Sequence, residues 1–303
     1  MGIASFNELE KKVIDSKRKF RVAVANAGDS HSIEAIMLAV DKGFAEPVLV
    51  GDKDAIVKIL GEMGRTVPEE NIYDCPDVTE AVAKAVELVR EGKADFLMKG
   101  KLDTSALLKG VVKSGTGLND GNLMSALFIA AIPGCHKLVA VVDGGMLTYP
   151  SLEQKKALIN NTVHAFHCLG CENPKVGVLA CIEKVNPKMP ETVEAAELKR
   201  MNEEGKITGC FVEGPISYDC AMSPASAKEK NFNSPAAGDC DILIAPNIHA
   251  ANILSKALTV TCKAESAGCI IGAKCPVVIS SRGSSPEEKC NSIMLAAAVV
   301  LGK

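Results

Sequence analysis

Near the carboxyl end, the stretch Ser280-Ser281-Arg282-Gly283-Ser284-Ser285-Pro286-Glu287-Glu288 follows an apolar run and precedes a helical pattern. The fork of donors on an arginine fits a phosphate or a carboxylate, and a serine hydroxyl beside it can donate to a developing oxyanion. Ser281 and Arg282 therefore suit the transfer of a group between anionic reactants. Glu288 has two readings. It is a carboxylate able to exchange a proton, and it also closes Ser285-Pro286-Glu287-Glu288, a capping-box pattern with proline at the first helical position. A second candidate is Lys99-Gly100-Lys101, where two ammonium groups and backbone N–H groups at the end of a strand could meet phosphate. The bland alternative leaves Lys101 as a solvated loop lysine. No GxxxxGK[ST] occurs, so a Walker-type loop is not the phosphate device. His164, His167, Cys168 and Cys171 have zinc-like spacing but lack a second ligand pair, and ordinary packing is the expectation. No cysteine sits in a motif that supplies a base or oxyanion donors.

Such side chains need elements that aim them. Short β-rich runs alternate with amphipathic segments along the chain, the pattern of parallel strands covered by crossover helices. Strands are expected at 21–27, 47–51, 96–100, 137–142, 175–182, 209–213, 241–245 and 275–281. Helices are expected at 30–42, 152–169, 190–204, 248–257 and 286–301, with two further helical patterns at 52–64 and 79–92. In open α/β sheets, ligands gather beyond the carboxyl ends of strands, where helix N-termini offer N–H groups to anions. Ser281 and Lys99 both fall at such ends.

Composition removes other classes. With 34 basic and 37 acidic residues in 303, the charge of −3 does not suit a nucleic-acid binder, and 47% apolar content does not suit a disordered chain. The absence of tryptophan and a 4% aromatic share leave few platforms for stacking bases. The apolar stretches at 137–145 and 267–281 are too short or too broken to span a bilayer. The first twenty residues lack the apolar core of a secretory signal, which places the protein in the cytoplasm. The twelve cysteines are expected as reduced thiols, with Cys181, Cys210 and Cys269 serving as small buried hydrophobes. The length favours two packed domains.

Four segments together resemble a known family. They are NNTVHAFHCLGCENPKVGVLACIEKVNPKMPETVEAAEL (160–198), FVEGPISYDCAMS (211–223), APNIHAANILSKALT (245–259) and CPVVISSRGSS (275–285). Their combination is similar to the phosphate acetyl/butyryltransferase family, and the likeness extends along essentially the whole chain. The TYP at 148–150 looks most like the butyryltransferase branch. The resemblance implies an α/β, two-domain, three-layer parallel-sheet architecture of the isocitrate/isopropylmalate dehydrogenase type, with an interdomain cleft. The domains are expected at 1–131 with 272–303, and at 132–271, the second favouring dimerisation.

The resemblance also implies reversible transfer of a short acyl group, butyryl by preference, between coenzyme A and inorganic phosphate through a ternary complex. No metal or redox cofactor is expected. The partners are acyl-CoA, phosphate and a second copy of the chain, in a homodimer or a larger assembly of dimers. Neither nucleic acid nor membrane is among them. Carried over by motif, Ser281 would bond the tetrahedral oxyanion and Arg282 would hold phosphate or the thioester oxygen. Glu288 falls where the acetyltransferase branch has an aspartate proposed as base. Lys99, Gly100, Lys101, Lys109, Asn247, His249 and Asn252 are the expected substrate-binding residues.

Three departures accompany the likeness. Lys109 stands where relatives usually carry arginine, which keeps the charge but loses the bidentate fork. Asn119 replaces the arginine of a GLR turn. His249 and Ala251 replace the Glu and Gly of PNIEAGN. Two other readings of the activity stay open: an acetyl-specific transferase, and a non-catalytic CoA-binding subunit that keeps the fold. A decarboxylating dehydrogenase would need metal-binding aspartates and nucleotide determinants that the sequence does not display.

Overall fold

In the computed structural model, residues 3–119, 121–279 and 283–303 are described. In chain order, α1 (Phe6–Asp15) leads to β1 (Phe20–Ala25), α2 (Ser30–Asp41), β2 (Ala45–Gly51), α3 (Lys53–Glu62), β3 (Ile72–Asp74), α4 (Val78–Arg90), β4 (Phe96–Lys99) and α5 (Thr104–Val111). Then come β5 (Ser125–Ala131), β6 (Val139–Val142), α6 (Leu152–Leu169), β7 (Lys175–Leu179), α7 (Pro190–Glu203) and β8 (Phe211–Ile216). The short α8 (Tyr218–Met222) and α9 (Pro224–Glu229) precede β9 (Ile242–Ile244) and α10 (Ile248–Lys256). The chain closes with β10 (Glu265–Ile271), β11 (Val277–Val278) and α11 (Pro286–Leu301).

Local chemistry explains the boundaries. Asp29, Asp52 and Asp77 each accept backbone N–H groups at the start of the next helix, satisfying donors that a helix leaves unpaired. Ser151 and Gln154 form a reciprocal capping box on α6, and Gly170 ends that helix in the left-handed conformation at φ 100°. Because these caps follow strands, they turn the helix N-termini toward the carboxyl ends of the sheet.

The chain divides into two compact units, one of residues 7–122, 267–301 and 303, the other of residues 3–6, 123–266 and 302. In the first, strands run in the order β3-β2-β1-β4-β11-β10. All its pairings are parallel except β10 with β11. Its interior holds Phe20, Phe96, Ile36, Leu49, Leu97 and Met98, all fully buried, and α11 packs against α2. In the second unit the order is β5-β6-β9-β7-β8, parallel except for β5 with β6. Val139, Val141, Ile216 and Leu243 lie in its core.

The division differs from the expected boundaries at both crossings. Residues 123–131 go with the second unit because β5 pairs with β6, and residues 267–271 go with the first because β10 pairs with β11. Of the strand expected at 275–281, Val277–Val278 form a strand among the described residues. No helix among the described residues is long and apolar enough to cross a membrane.

Candidate active site

The parallel register of β11 on β4 sets Val277 against Leu97 and Val278 against Met98. The strand leading toward Ser281 and Arg282 is thus hydrogen-bonded to the strand that ends at Lys99. Ser281 and Arg282 themselves lie outside the described residues. Glu288 sits half-buried in the first turn of α11, where its backbone N–H donates to the Ser285 hydroxyl at 3.2 Å. This is the forward half of the capping box expected from the sequence.

At the end of β4, Gly100 is dictated by crowding. A Cβ there would come within 2.3 Å of the Asn26 carbonyl oxygen and 2.7 Å of that of Ala25. The close approach lets the Gly100 N–H donate to Ala25 O at 2.9 Å and the Lys101 N–H to Asn26 O at 2.8 Å, while the Asn26 amide donates to Lys101 O. These two N–H groups are therefore engaged, which corrects the expectation that they meet an anion. Lys99 is half-buried and its Nζ donates to Leu102 O at 2.9 Å and Gly100 O at 3.3 Å, bracing the turn. Lys101 is exposed, so its ammonium is the group of this turn that is open to an incoming anion.

Lys109 is also exposed, on α5, where it lines a cavity between α4 and α5 together with Arg90 and Lys113. Neither of those two drew notice in the sequence, because they are separate helical residues that only the packing of α4 on α5 brings together. Asn119 has its side-chain oxygen shielded, with no hydrogen-bond partner among the described residues.

The remaining candidates belong to the second unit. Asn247 caps α10, its side chain accepting from Ala250 N at 3.1 Å. His249 is exposed beside Tyr149, their rings 5.8 Å apart and tilted by 56°. Asn252 donates to Gly144 O at 3.1 Å. Since Val142 pairs with Ile244 in parallel, the turn after β6 and the start of α10 share one sheet edge. Asp143 organises that turn. It is 3% exposed, and its carboxylate accepts the N–H groups of Gly145 at 2.8 Å and Met146 at 2.9 Å. Burial pushes its pKa up against these hydrogen bonds. The signal for it was present, an aspartate and two glycines at the end of an apolar run.

At the same edge, the Ser217 hydroxyl lies between Glu183 and Asp219, and Lys230 reaches both carboxylates at 3.0 and 2.9 Å. The Ser217 hydroxyl, whose one proton the two carboxylates share, and the Lys230 ammonium hold the pKa of both acids below the ordinary range. Glu183, Asp219 and Cys220 could converge on a cation, but the Lys230 ammonium already supplies positive charge there. The His164-to-Cys171 cluster separates into packing contacts. His167 bonds Gly209 O at 2.7 Å, while Cys168 and Cys171 are buried. Cys210 and Cys269 are buried as expected, but Cys181 is exposed, because β7 ends at Leu179 and leaves it in the following turn.

A profile described as phosphate acetyl/butaryl transferase matches residues 74–297. The chain belongs to this family. It is 42% identical to the phosphate butyryltransferase of Clostridium acetobutylicum over 99% of this chain and all of that relative. It is 45% identical to the phosphate acetyltransferase of Thermotoga maritima over 95% and 98% of the two chains. Among solved structures, a branched-chain phosphotransacylase from Enterococcus faecalis superposes with a TM-score of 0.81 at 28% identity, covering 93% of this chain and 99% of that one. A 4-hydroxythreonine-4-phosphate dehydrogenase from Klebsiella pneumoniae, at 13% identity and a TM-score of 0.56, shares the fold alone. The family places an α/β chain with mostly parallel strands and an exposed lysine at the β4 turn within phosphate acyltransferase chemistry.

Proposed function

We propose that the protein is a phosphate acyltransferase that moves a butyryl group reversibly between coenzyme A and inorganic phosphate, with Ser281, Arg282 and Glu288 at the reacting centre. The observation that carries this reading is the pairing of β11 with β4. It ties the approach to the Ser281-Arg282 motif to the Lys99-Gly100-Lys101 turn in one sheet, within a chain matched to this family over most of its length. A phosphate oxygen attacks the thioester carbonyl, the new C–O bond forms, and the C–S bond breaks to release coenzyme A. Ser281 donates to the oxyanion of the tetrahedral intermediate. Arg282 holds phosphate in a bidentate grip, with Lys101 adding charge. Glu288 exchanges the proton with the departing or attacking sulfur. Positioning and oxyanion stabilisation account for the acceleration, and no metal or redox cofactor takes part.

Asn247, His249 and Asn252 complete the substrate-binding set in this reading. The enzyme is cytoplasmic, a homodimer or an assembly of dimers, with the three-layer architecture of the isocitrate/isopropylmalate dehydrogenases. The acetyl-specific alternative is favoured by one observation, the 45% identity to the acetyltransferase of Thermotoga maritima.

The test is release of free thiol from acyl-CoA substrates of two to six carbons in the presence of phosphate and a chelator. Butyryl-CoA is expected to turn over fastest, and Arg282→Ala is expected to lower kcat/KM for phosphate by about 10²–10³, the scale of losing one preorganised charged donor at the reacting centre. Full activity in that variant would remove Arg282 from the site. Coenzyme A binding without turnover of any chain length would favour the non-catalytic subunit.

A further inference from the structure

Three lysines are buried among the described residues, Lys137, Lys155 and Lys289, at 7, 4 and 5% exposure. An ammonium group withdrawn from water needs an anion beside it. Lys137 has Asp239 and Asp241, and Lys155 has Glu194. Lys289 has no such neighbour. It forms no ion pair and no side-chain hydrogen bond among the described residues.

Lys289 stands near the start of α11, where its backbone N–H donates to Ser285 O at 3.1 Å. One turn further on, Ser292 donates to Glu288 O at 2.9 Å and accepts the Gly268 N–H at 3.0 Å. Residues three apart share a helix face, so the face that carries Lys289 is the one laid on β10. Gly268 directly precedes Cys269, the partner of Val278 in the β10–β11 ladder. Lys289 is one turn nearer the amino end of α11 than this contact, and helical side chains lean toward that end. That end follows the Ser281-Arg282 motif in the chain.

The main chain offers an anion little at this helix start. Pro286 has no N–H, and the Glu288 N–H is taken by the Ser285 hydroxyl at 3.2 Å. Glu287 and Glu288 add negative charge in the same turn. An anion settles beside two carboxylates only where cations outweigh them. The acyltransferase reading gives Arg282 to that task, yet a phosphate group at neutral pH carries more than one negative charge.

We infer that Lys289 is a further phosphate-binding residue. Its ammonium pairs with the inorganic phosphate that attacks the thioester, and with the phosphoryl group of the acyl phosphate in the reverse direction. The inference deepens the acyltransferase reading and rests on it for the ligand. The phosphate completes a charge pair that the folded chain leaves open, so stability is sacrificed for binding.

The test uses Lys289→Met, whose side chain fills most of the space of the lysine stem without its charge. Lys155→Met is the control, a buried lysine with a carboxylate of its own. Lys289→Met is expected to raise the KM for phosphate at least about tenfold, the loss of one charge-assisted contact, with the KM for butyryl-CoA unchanged. Its melting temperature without phosphate is expected to equal or exceed that of wild type, because no partner is stranded. Lys155→Met is expected to do the reverse, lowering the melting temperature and leaving the KM for phosphate unmoved. An unchanged KM for phosphate in Lys289→Met, or equal losses on both substrates, overturns the inference. Where methionine is not tolerated, Lys289→Gln is read by the same criteria. A second readout does without turnover. Inorganic phosphate is expected to raise the melting temperature of wild type above that in sodium chloride of equal ionic strength, and that of Lys289→Met by less. If wild type turns over no acyl-CoA, the acyltransferase reading fails by itself and this comparison decides. Equal phosphate-dependent shifts in the two proteins, or none in wild type, remove Lys289 from phosphate binding.

Discussion

Glu288 is asked to serve both as base and as part of a helix start. Its backbone N–H meets the Ser285 hydroxyl, so the forward half of the cap runs through the main chain and survives a change of side chain. Glu288→Gln is therefore expected to lower kcat while moving the melting temperature by no more than about 1 °C, roughly half a kcal/mol at this size. A normal rate with a lowered melting temperature would assign the carboxylate to the cap. Much at this scale was legible in the sequence, because chemistry-bearing residues cluster in short motifs. What was not legible depended on neighbours in space. The N–H groups of Gly100 and Lys101 are taken by carbonyls some 75 residues away, and the isolation of Asp143 from water follows from the packing of its turn. The buried thiols behaved as read. Burial pushes the pKa of Cys269 and Cys240 up to about 12, so they remain neutral side chains of the core.

Among the elements, α6 spans Leu152–Leu169 and α11 spans Pro286–Leu301, both as their caps and periodicity indicate. Strands were harder to delimit. Three short strands, β3, β9 and β11, draw their definition from partners, and β10 turns antiparallel to β11 where the β-α pattern implied parallel pairing. Helix α1 carried too mixed a pattern to stand out, although Leu9 and Val13 of that helix are buried. The turn after β4 is the element on which the site depends most. Gly100→Ala forces a methyl against two carbonyl oxygens, at 2.3 and 2.7 Å, and neither belongs to a flexible side chain. The variant is expected to lose about 1–3 kcal/mol, as overpacked sites do, and to raise the KM for phosphate as Lys101 shifts. Denaturant unfolding and phosphate kinetics check the two effects, and a variant of wild-type stability would mean that the β1 and β4 ends are not held this closely.

At the scale of the whole molecule, the second unit carries an ion-pair network at the amino ends of β6, β7 and β9. Lys137 is 7% exposed and reaches Asp239 at 2.9 Å and Asp241 at 2.7 Å, while Lys175 pairs with Asp239 at 2.5 Å. Burial opposes the charge of Lys137, yet hydrogen bonds to Asp241 and Asp239 hold its pKa above the ordinary lysine value. Burial likewise works against the Asp239 carboxylate, but Lys175 and Lys137 hold it below the ordinary range. The lowered Asp239 contributes stability that is complete above about pH 4 and is lost as pH falls further. The raised Lys137 contributes stability that is complete below about pH 10 and is lost as pH climbs past its folded-state pKa. Lys137→Met strands Asp241 in the interior and is expected to cost about 3–5 kcal/mol at neutral pH. Melting curves between pH 3 and 11 check this, and an unchanged profile would show the network to be inert.

The central claim concerns where the acyl group goes. It is tested most directly by following butyryl-CoA and inorganic phosphate with the purified protein by phosphorus NMR alongside thiol release. One acyl phosphate resonance growing in step with each free thiol, and reverting when coenzyme A is added in excess, is the predicted result. Thiol released without acyl phosphate, or neither product at all, would contradict the account.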